Sequence, residues 1–155
     1  MHIVSPTEYT RNPQSSSKTL FLAGGITDCP NWQDPAAELL LERTTLTVFN
    51  PRRANWNMDK AEEESRKQIL WEHRHLQYAD IIVFWFPMET LCPITLFELG
   101  KYLMTDKELI VGTHPEYQRR LDVIVQSRLE RPNLKIWSNL DDMIHTFIRD
   151  HKIGL

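Results

Sequence analysis

The stretch that decides the fold is Ile81-Ile82-Val83-Phe84-Trp85-Phe86-Pro87, followed after four residues by Cys92-Pro93-Ile94-Thr95-Leu96-Phe97-Glu98-Leu99-Gly100. Six consecutive apolar residues with no polar alternation are the pattern of a strand buried on both faces, as in a parallel sheet. Pro87 and Pro93 break that strand, and residues 94–104 read as a helix. Glu98 therefore stands early in a helix just past the C-terminal end of a central strand, the edge where open α/β sheets bind small ligands. The helix dipole favours negative charge near a helix N-terminus, so the Glu98 carboxylate is expected to stay ionised. An ionised carboxylate facing a crevice is how a nucleophile would be built. A solvated Glu98 paired with Lys101 fits the same spacing.

Working outward, strands are predicted over 19–23, 46–50, 109–112 and 135–137, and helices over 32–42, 65–78, 117–129 and 140–150. Gly24-Gly25 closes the first strand, Pro51 ends the second, and Pro35 falls in a first helical turn, where proline is tolerated. Strands alternating with helices predict an α/β fold: a five-stranded parallel sheet in a flavodoxin-like or Rossmann-like three-layer sandwich, strand order 2-1-3-4-5, with right-handed crossovers. Residues 1–18 are polar and hold Pro6, Pro13 and a Ser15-Ser16-Ser17 run, which reads as a flexible or strap-like arm. Residues 19–155 read as one domain. The charged segment 52–64 reads as a functional loop.

A chain of 155 residues can bury one sizeable core. Its net charge of -3 gives no electrostatic case for a duplex nucleic acid partner. The longest apolar run is too short to cross a bilayer, and the N-terminus lacks the basic-then-apolar order of a signal peptide. Two cysteines, Cys29 and Cys92, make no disulfide framework and suit a reducing cytoplasm. Among five tryptophans, Trp32, Trp56 and Trp71 lie in polar contexts and are candidates to line a site for a flat ring.

The loops after the first three predicted strands share one rim. They carry Gly24, Gly25 and Asp28, then Asn50, Arg52 and Arg53, then Glu89 and Thr90 ahead of Thr95 and Glu98. Paired glycines allow close backbone approach to a ligand, though a tight turn explains them as well. Arg52 and Arg53 suit a phosphate or carboxylate, or plain solvation. No G-x-G-x-x-G, P-loop lysine or G-x-S-x-G pattern is present, so no dinucleotide cofactor is expected. No metal is expected either, since His73 and His75 lie two apart on a helix and point away from each other, and His114 stands alone. Cys92 has no base in view that would make it a nucleophile. Carboxylates remain. If helix 65–78 overhangs the rim, Glu72 looks toward Glu98, and two carboxylates flanking one bond are the apparatus for cleaving a glycosidic linkage. A surface Glu72 beside Lys67 or Arg74 fits the spacing equally.

These residues together resemble the nucleoside 2-deoxyribosyltransferase-like superfamily, in its compact phage and bacterial branch. The matching pieces are Phe21-Leu22-Ala23-Gly24-Gly25-Ile26, Val48-Phe49-Asn50-Pro51, Gln68-Ile69-Leu70-Trp71-Glu72, Ala79-Asp80 with the apolar strand, the turn ending Glu98-Leu99-Gly100, and His114-Pro115-Glu116-Tyr117 with Asp122-Val123. The resemblance implies that Glu98 is the nucleophile forming a covalent deoxyribosyl intermediate. It implies that Glu72, eight residues before Asp80, assists the base. Gly24, Gly25 and Asp28 would contact the ligand, and Asn50 and Arg52 would reach the base. It further implies a homodimer or larger even homo-oligomer with a small-molecule nucleoside or nucleotide as ligand. One departure stands out: the transferases carry a 5'-hydroxyl-binding aspartate six residues before the nucleophile, where this chain has Cys92, with Glu89 and Thr90 slightly earlier. The expected activity is N-glycosidic cleavage with transfer of the 2-deoxyribosyl group to another base. The alternatives are a nucleoside 5'-monophosphate N-glycosidase, for which Thr90 and Thr95 would hold the phosphate, and a non-catalytic nucleotide sensor.

Overall fold

The computed structural model describes residues 1–55 and 57–151. Its strands are β1 (His2–Val4), β2 (Thr19–Gly24), β3 (Thr47–Asn50), β4 (Ile81–Phe86), β5 (Glu108–Thr113) and β6 (Ile136–Trp137). Its helices are α1 (Gln33–Arg43), α2 (Ala61–Tyr78), α3 (Pro93–Leu103), α4 (Arg120–Glu130) and α5 (Leu140–Asp150). All pairings are parallel, in the order β1-β3-β2-β4-β5-β6. The five strands expected from sequence occupy the 2-1-3-4-5 arrangement, and β1 adds a sixth at the β3 edge.

Side chains alternate across the sheet, as the two-residue period of a strand requires. Phe21 and Ala23 of β2 and Ile82, Phe84 and Phe86 of β4 face a core closed by α2, α3 and α4. Leu20, Leu22, Ile81, Val83 and Trp85 face the other, closed by α1 and α5. Both faces of β4 are buried throughout, which is why its sequence is a continuous apolar run.

Three local expectations are corrected. The segment read as a flexible or strap-like arm also contributes a strand that was not expected, β1, with His2, Ile3 and Val4 in register with Val48, Phe49 and Asn50. Beyond it the arm runs along α2: the Trp71 indole donates to the Thr7 carbonyl at 2.8 Å, and the Tyr9 amide donates to His75 Nε2 at 3.3 Å. A three-residue edge strand has no pattern of its own and is defined only by its neighbour. Secondly, α2 begins at Ala61, inside the expected loop. Glu62, Glu63 and Glu64 form its first turn, where the dipole favours them, and Lys67 pairs with Glu63 at 2.7 Å. Thirdly, α4 begins at Arg120, because Tyr117 anchors a loop, donating its hydroxyl to the Leu91 carbonyl at 2.7 Å.

Candidate active site

Parallel strands align their C-terminal ends, and a cavity of about 340 Å³ opens there, within the range of small-molecule sites. Phe21, Ala23, Gly24 and Gly25 form its β2 wall, followed by Ile26 and Thr27. Pro51 enters from the end of β3 and Glu72 from α2. The opposite wall is Thr90, Cys92, Ile94, Thr95 and Glu98, from the β4–α3 connection and α3.

Each wall has a local cause. A Cβ on Gly24 would lie 2.4 Å from the Trp85 carbonyl oxygen and 2.5 Å from the Trp32 ring, so only glycine lets β2 pass there. A Cβ on Gly25 would meet Pro87 at 2.8 Å and the sulfurs of Cys29 and Cys92 at 3.0 and 3.1 Å. The Gly25 carbonyl accepts from Trp32 Nε1 at 3.1 Å and Gln33 Nε2 at 3.0 Å, which fixes the loop from behind. Across the cavity Cys92 takes a left-handed conformation, φ 48°, and Pro93 starts α3 in the first turn. Thr95 and Glu98 are three apart and share one helical face, while Leu99 and Tyr102 turn into the core.

Glu98 is the sixth residue of α3, in its second turn and past the first turn where the dipole acts, so the expectation that the dipole keeps it ionised is corrected. Burial, and then the neighbouring Glu72 charge, push its carboxyl up to about 8, with Lys101 opposing them. Glu72 is also raised, by burial, against the hydrogen bond that Gln68 donates to it at 2.8 Å. Burial thus favours the protonated form of both carboxyls, and at Glu98 it carries that preference through neutral pH. Glu98 makes no hydrogen bond to the described residues.

Of the residues singled out in the sequence, Gly24, Gly25, Glu72, Thr90, Thr95 and Glu98 line this cavity. Asp28, Asn50, Arg52 and Glu89 do not. Asp28 is exposed in a left-handed turn, φ 58°, and Glu89 is exposed. Asn50 is fully buried, donating to Asp34 Oδ1 at 2.7 Å and accepting from the Arg52 amide at 2.9 Å. The Arg52 guanidinium donates to the carbonyls of Cys29 and Pro30, both at 2.9 Å, and to Gln33 Oε1 at 3.2 Å. Both side chains brace the β2–α1 loop. Arg53 pairs with Glu64 of α2. Trp32 packs behind Gly24 and Trp71 stacks on His75, so neither lines the cavity; Trp56 lies outside the described residues. Burial pushes the Cys92 thiol up to about 12, which disqualifies it as a nucleophile.

Ile26, Thr27 and Pro51 belong to the loops expected at the rim though not singled out as site residues, while sequence reasoning missed Ile94 as a lining residue and Gln68 as the partner of Glu72. The four-residue spacing of Gln68 and Glu72 on a helix was the available signal for the last. Among the described residues no helix is long and apolar enough to cross a membrane. No curated protein matches the chain. Residues 17–117 match a family model described as nucleoside 2-deoxyribosyltransferase like, a span that runs from the start of β2 past Glu98 to Tyr117.

Proposed function

The chain belongs to the nucleoside 2-deoxyribosyltransferase-like family, and from that premise we propose that it cleaves the N-glycosidic bond of a (deoxy)nucleoside or nucleotide and transfers the 2-deoxyribosyl group to another base. The observation that carries this reading is the Glu72–Glu98 pair, two carboxyls lining one small-molecule cavity with raised proton affinity. In the first step a Glu98 oxygen attacks the anomeric carbon and the C–N bond breaks. Its electron pair stays on the base nitrogen, which takes a proton from the Glu72 carboxyl. In the second step a nitrogen of the incoming base attacks the same carbon, Glu98 leaves as a carboxylate, and Glu72 takes up the proton released by the acceptor. One proton on the pair is enough for the cycle, and it must stand on Glu72 when Glu98 attacks.

A second reading, hydrolysis of nucleoside 5'-monophosphates, is favoured by the wall around Cys92. An uncharged thiol stands there beside the hydroxyls of Thr90 and Thr95, two donors from which a phosphate can accept. Incubation with nucleosides and their 5'-monophosphates, with and without an acceptor base, decides between them. A swapped base identifies a transferase and free sugar a hydrolase. Ligand binding with no product identifies a sensor and ends both catalytic readings.

The same proposal includes an even homo-oligomer. The helices α2, α3 and α4 expose Ile69, Phe97, Leu121 and Leu129, and Met104 is exposed just past the end of α3. Ile94 is 63% exposed and lines the cavity, so a second copy seated on α3 would border the site. Light scattering that returns a fully active monomer would remove this part.

A further inference from the structure

We propose that Gln68 is a positioning residue for Glu72, and that the N-terminal arm sets Gln68 in place through Ser5. This role rests on the reading of Glu72 as the proton donor. It gives the arm, which lies largely outside the matched family segment, a part in the chemistry.

The arm and α2 meet along one helical stripe. Gln68, Trp71 and His75 are spaced by three and four residues and so share a face. Gln68 Oε1 accepts from the Ser5 hydroxyl at 2.6 Å, Trp71 Nε1 donates to the Thr7 carbonyl, and His75 Nε2 accepts from the Tyr9 amide. Of the three, Gln68 also reaches toward the cavity: its Nε2 donates to the Pro51 carbonyl and to Glu72 Oε1, both at 2.8 Å. Pro51 and Glu72 both line the cavity.

The chemistry of these partners leaves the amide one orientation. Pro51 O is a pure acceptor and the Glu72 carboxylate accepts as well, so both demand the NH₂ end. The Ser5 hydroxyl, free to donate, takes the oxygen end. A flipped amide would set its oxygen against two others. Ser5 is only 3% exposed, and its own amide donates to the Asn50 carbonyl at 3.1 Å, extending the β1–β3 ladder by one residue. A continuous path of hydrogen bonds therefore joins the end of β3 to the proton donor.

The consequence for Glu72 is specific. With Oε1 taken by Gln68, a proton on Glu72 belongs on Oε2, the oxygen left for the ligand. The amide also stabilises the carboxylate formed once that proton has gone. The charge that faces the pair from α3 is Glu98, with Lys101 beyond it. On α2 the neighbouring charges are already paired, Lys67 with Glu63 and Glu64, and Arg74 with Glu8 of the arm.

The test follows the Glu72 carboxyl by ¹³C-detected titration of the full chain, in wild type, Gln68→Leu and Ser5→Ala. Turnover is measured in parallel on substrates with poor and good leaving groups. Loss of a hydrogen bond to a carboxylate should raise the Glu72 midpoint by about one pH unit in Gln68→Leu, and by less in Ser5→Ala. Turnover of poor leaving groups should fall about tenfold in kcat with KM nearly unchanged, and good leaving groups should be spared. An unchanged Glu72 titration in both variants, each folded by its thermal melt, overturns the role, as does a loss of turnover without a titration shift. If Gln68→Leu does not fold, Ser5→Ala decides by the same criterion. Failure of the proton-donor reading is told apart by Glu72→Gln: an equal effect on poor and good leaving groups sinks that reading, while a Glu72 shift in Gln68→Leu still upholds the positioning.

Discussion

Glu72 is held at one oxygen by Gln68, on an 18-residue helix that the N-terminal arm straps down, whereas Glu98 stands on an 11-residue helix and makes no hydrogen bond to the described residues. Both are half-buried at the same cavity, and burial raises the proton affinity of both. The difference lies in what opposes burial. At Glu72 it is a fixed dipole at 2.8 Å; at Glu98 it is the charge of Lys101. A group that must donate a proton along one line gains from being held. A group that must form and break a bond to carbon gains from having no competing partner to release. The contrast supports different tasks for two side chains of the same chemical type.

The sharpest way to break this division is Glu98→Ala. Loss of the nucleophile should reduce turnover on the order of 10⁴-fold or more, with a cooperative thermal melt retained. A 2-fluoro-2-deoxy sugar analogue should label a peptide containing Glu98 in the wild type and none in the variant. Retained turnover would end the assignment.

Glu72→Gln should cost about 10²- to 10⁴-fold on substrates with poor leaving groups and much less on activated ones. Measured side by side, the two glutamates should separate: the Glu98 variant fails on every substrate, the Glu72 variant selectively.

Stability against pH gives a third contrast. The Glu98 carboxyl is raised from 4.5 to about 8 on folding, so between those values the native state binds more protons than the unfolded one. Stability conferred by the protonated form is therefore complete below the unfolded pKa and is lost as pH rises through the folded one. Urea titrations should show wild-type stability falling from about pH 5 to about pH 8. Glu98→Gln should flatten that slope without abolishing it, since Glu72 is shifted in the same direction. A slope identical in wild type and variant would show that Glu98 titrates normally.

The smallest effect concerns Lys101. Its charge opposes the rise at Glu98, so Lys101→Met should move the upper titration step higher by a fraction of a unit. A downward movement would mean that Lys101 acts on the pair by another route.

Much of this fold was legible in the chain, where local pattern and burial agree. Ile81–Phe86 is buried on both faces and carries six apolar residues. Leu140–Asp150 is amphipathic and begins at Asn139, whose side chain accepts from the Asp142 amide as an N-cap should. The misplacements share a cause. Tyr117 reads as the start of a helix and is instead spent on the Leu91 carbonyl, while His2–Val4 becomes a strand only beside β3. At the candidate site, residues placed by strand ends and helical spacing, among them Gly24, Gly25, Thr95 and both glutamates, came to line one cavity. Asn50 and Arg52 did not, because their partners, Asp34, Cys29, Pro30 and Gln33, lie far off along the chain.

The β1–β3 register bears on the order of assembly. A three-residue edge strand pairs with β3 alone, a partner distant along the chain, so the arm is expected to dock after β3 has formed. Ser5, at the end of that strand, reaches Gln68 at the same moment. During refolding the Trp71 indole, which donates to Thr7 of the arm, should therefore report a late event, and full proton-donor competence should arrive with that signal and lag behind the burial of β4.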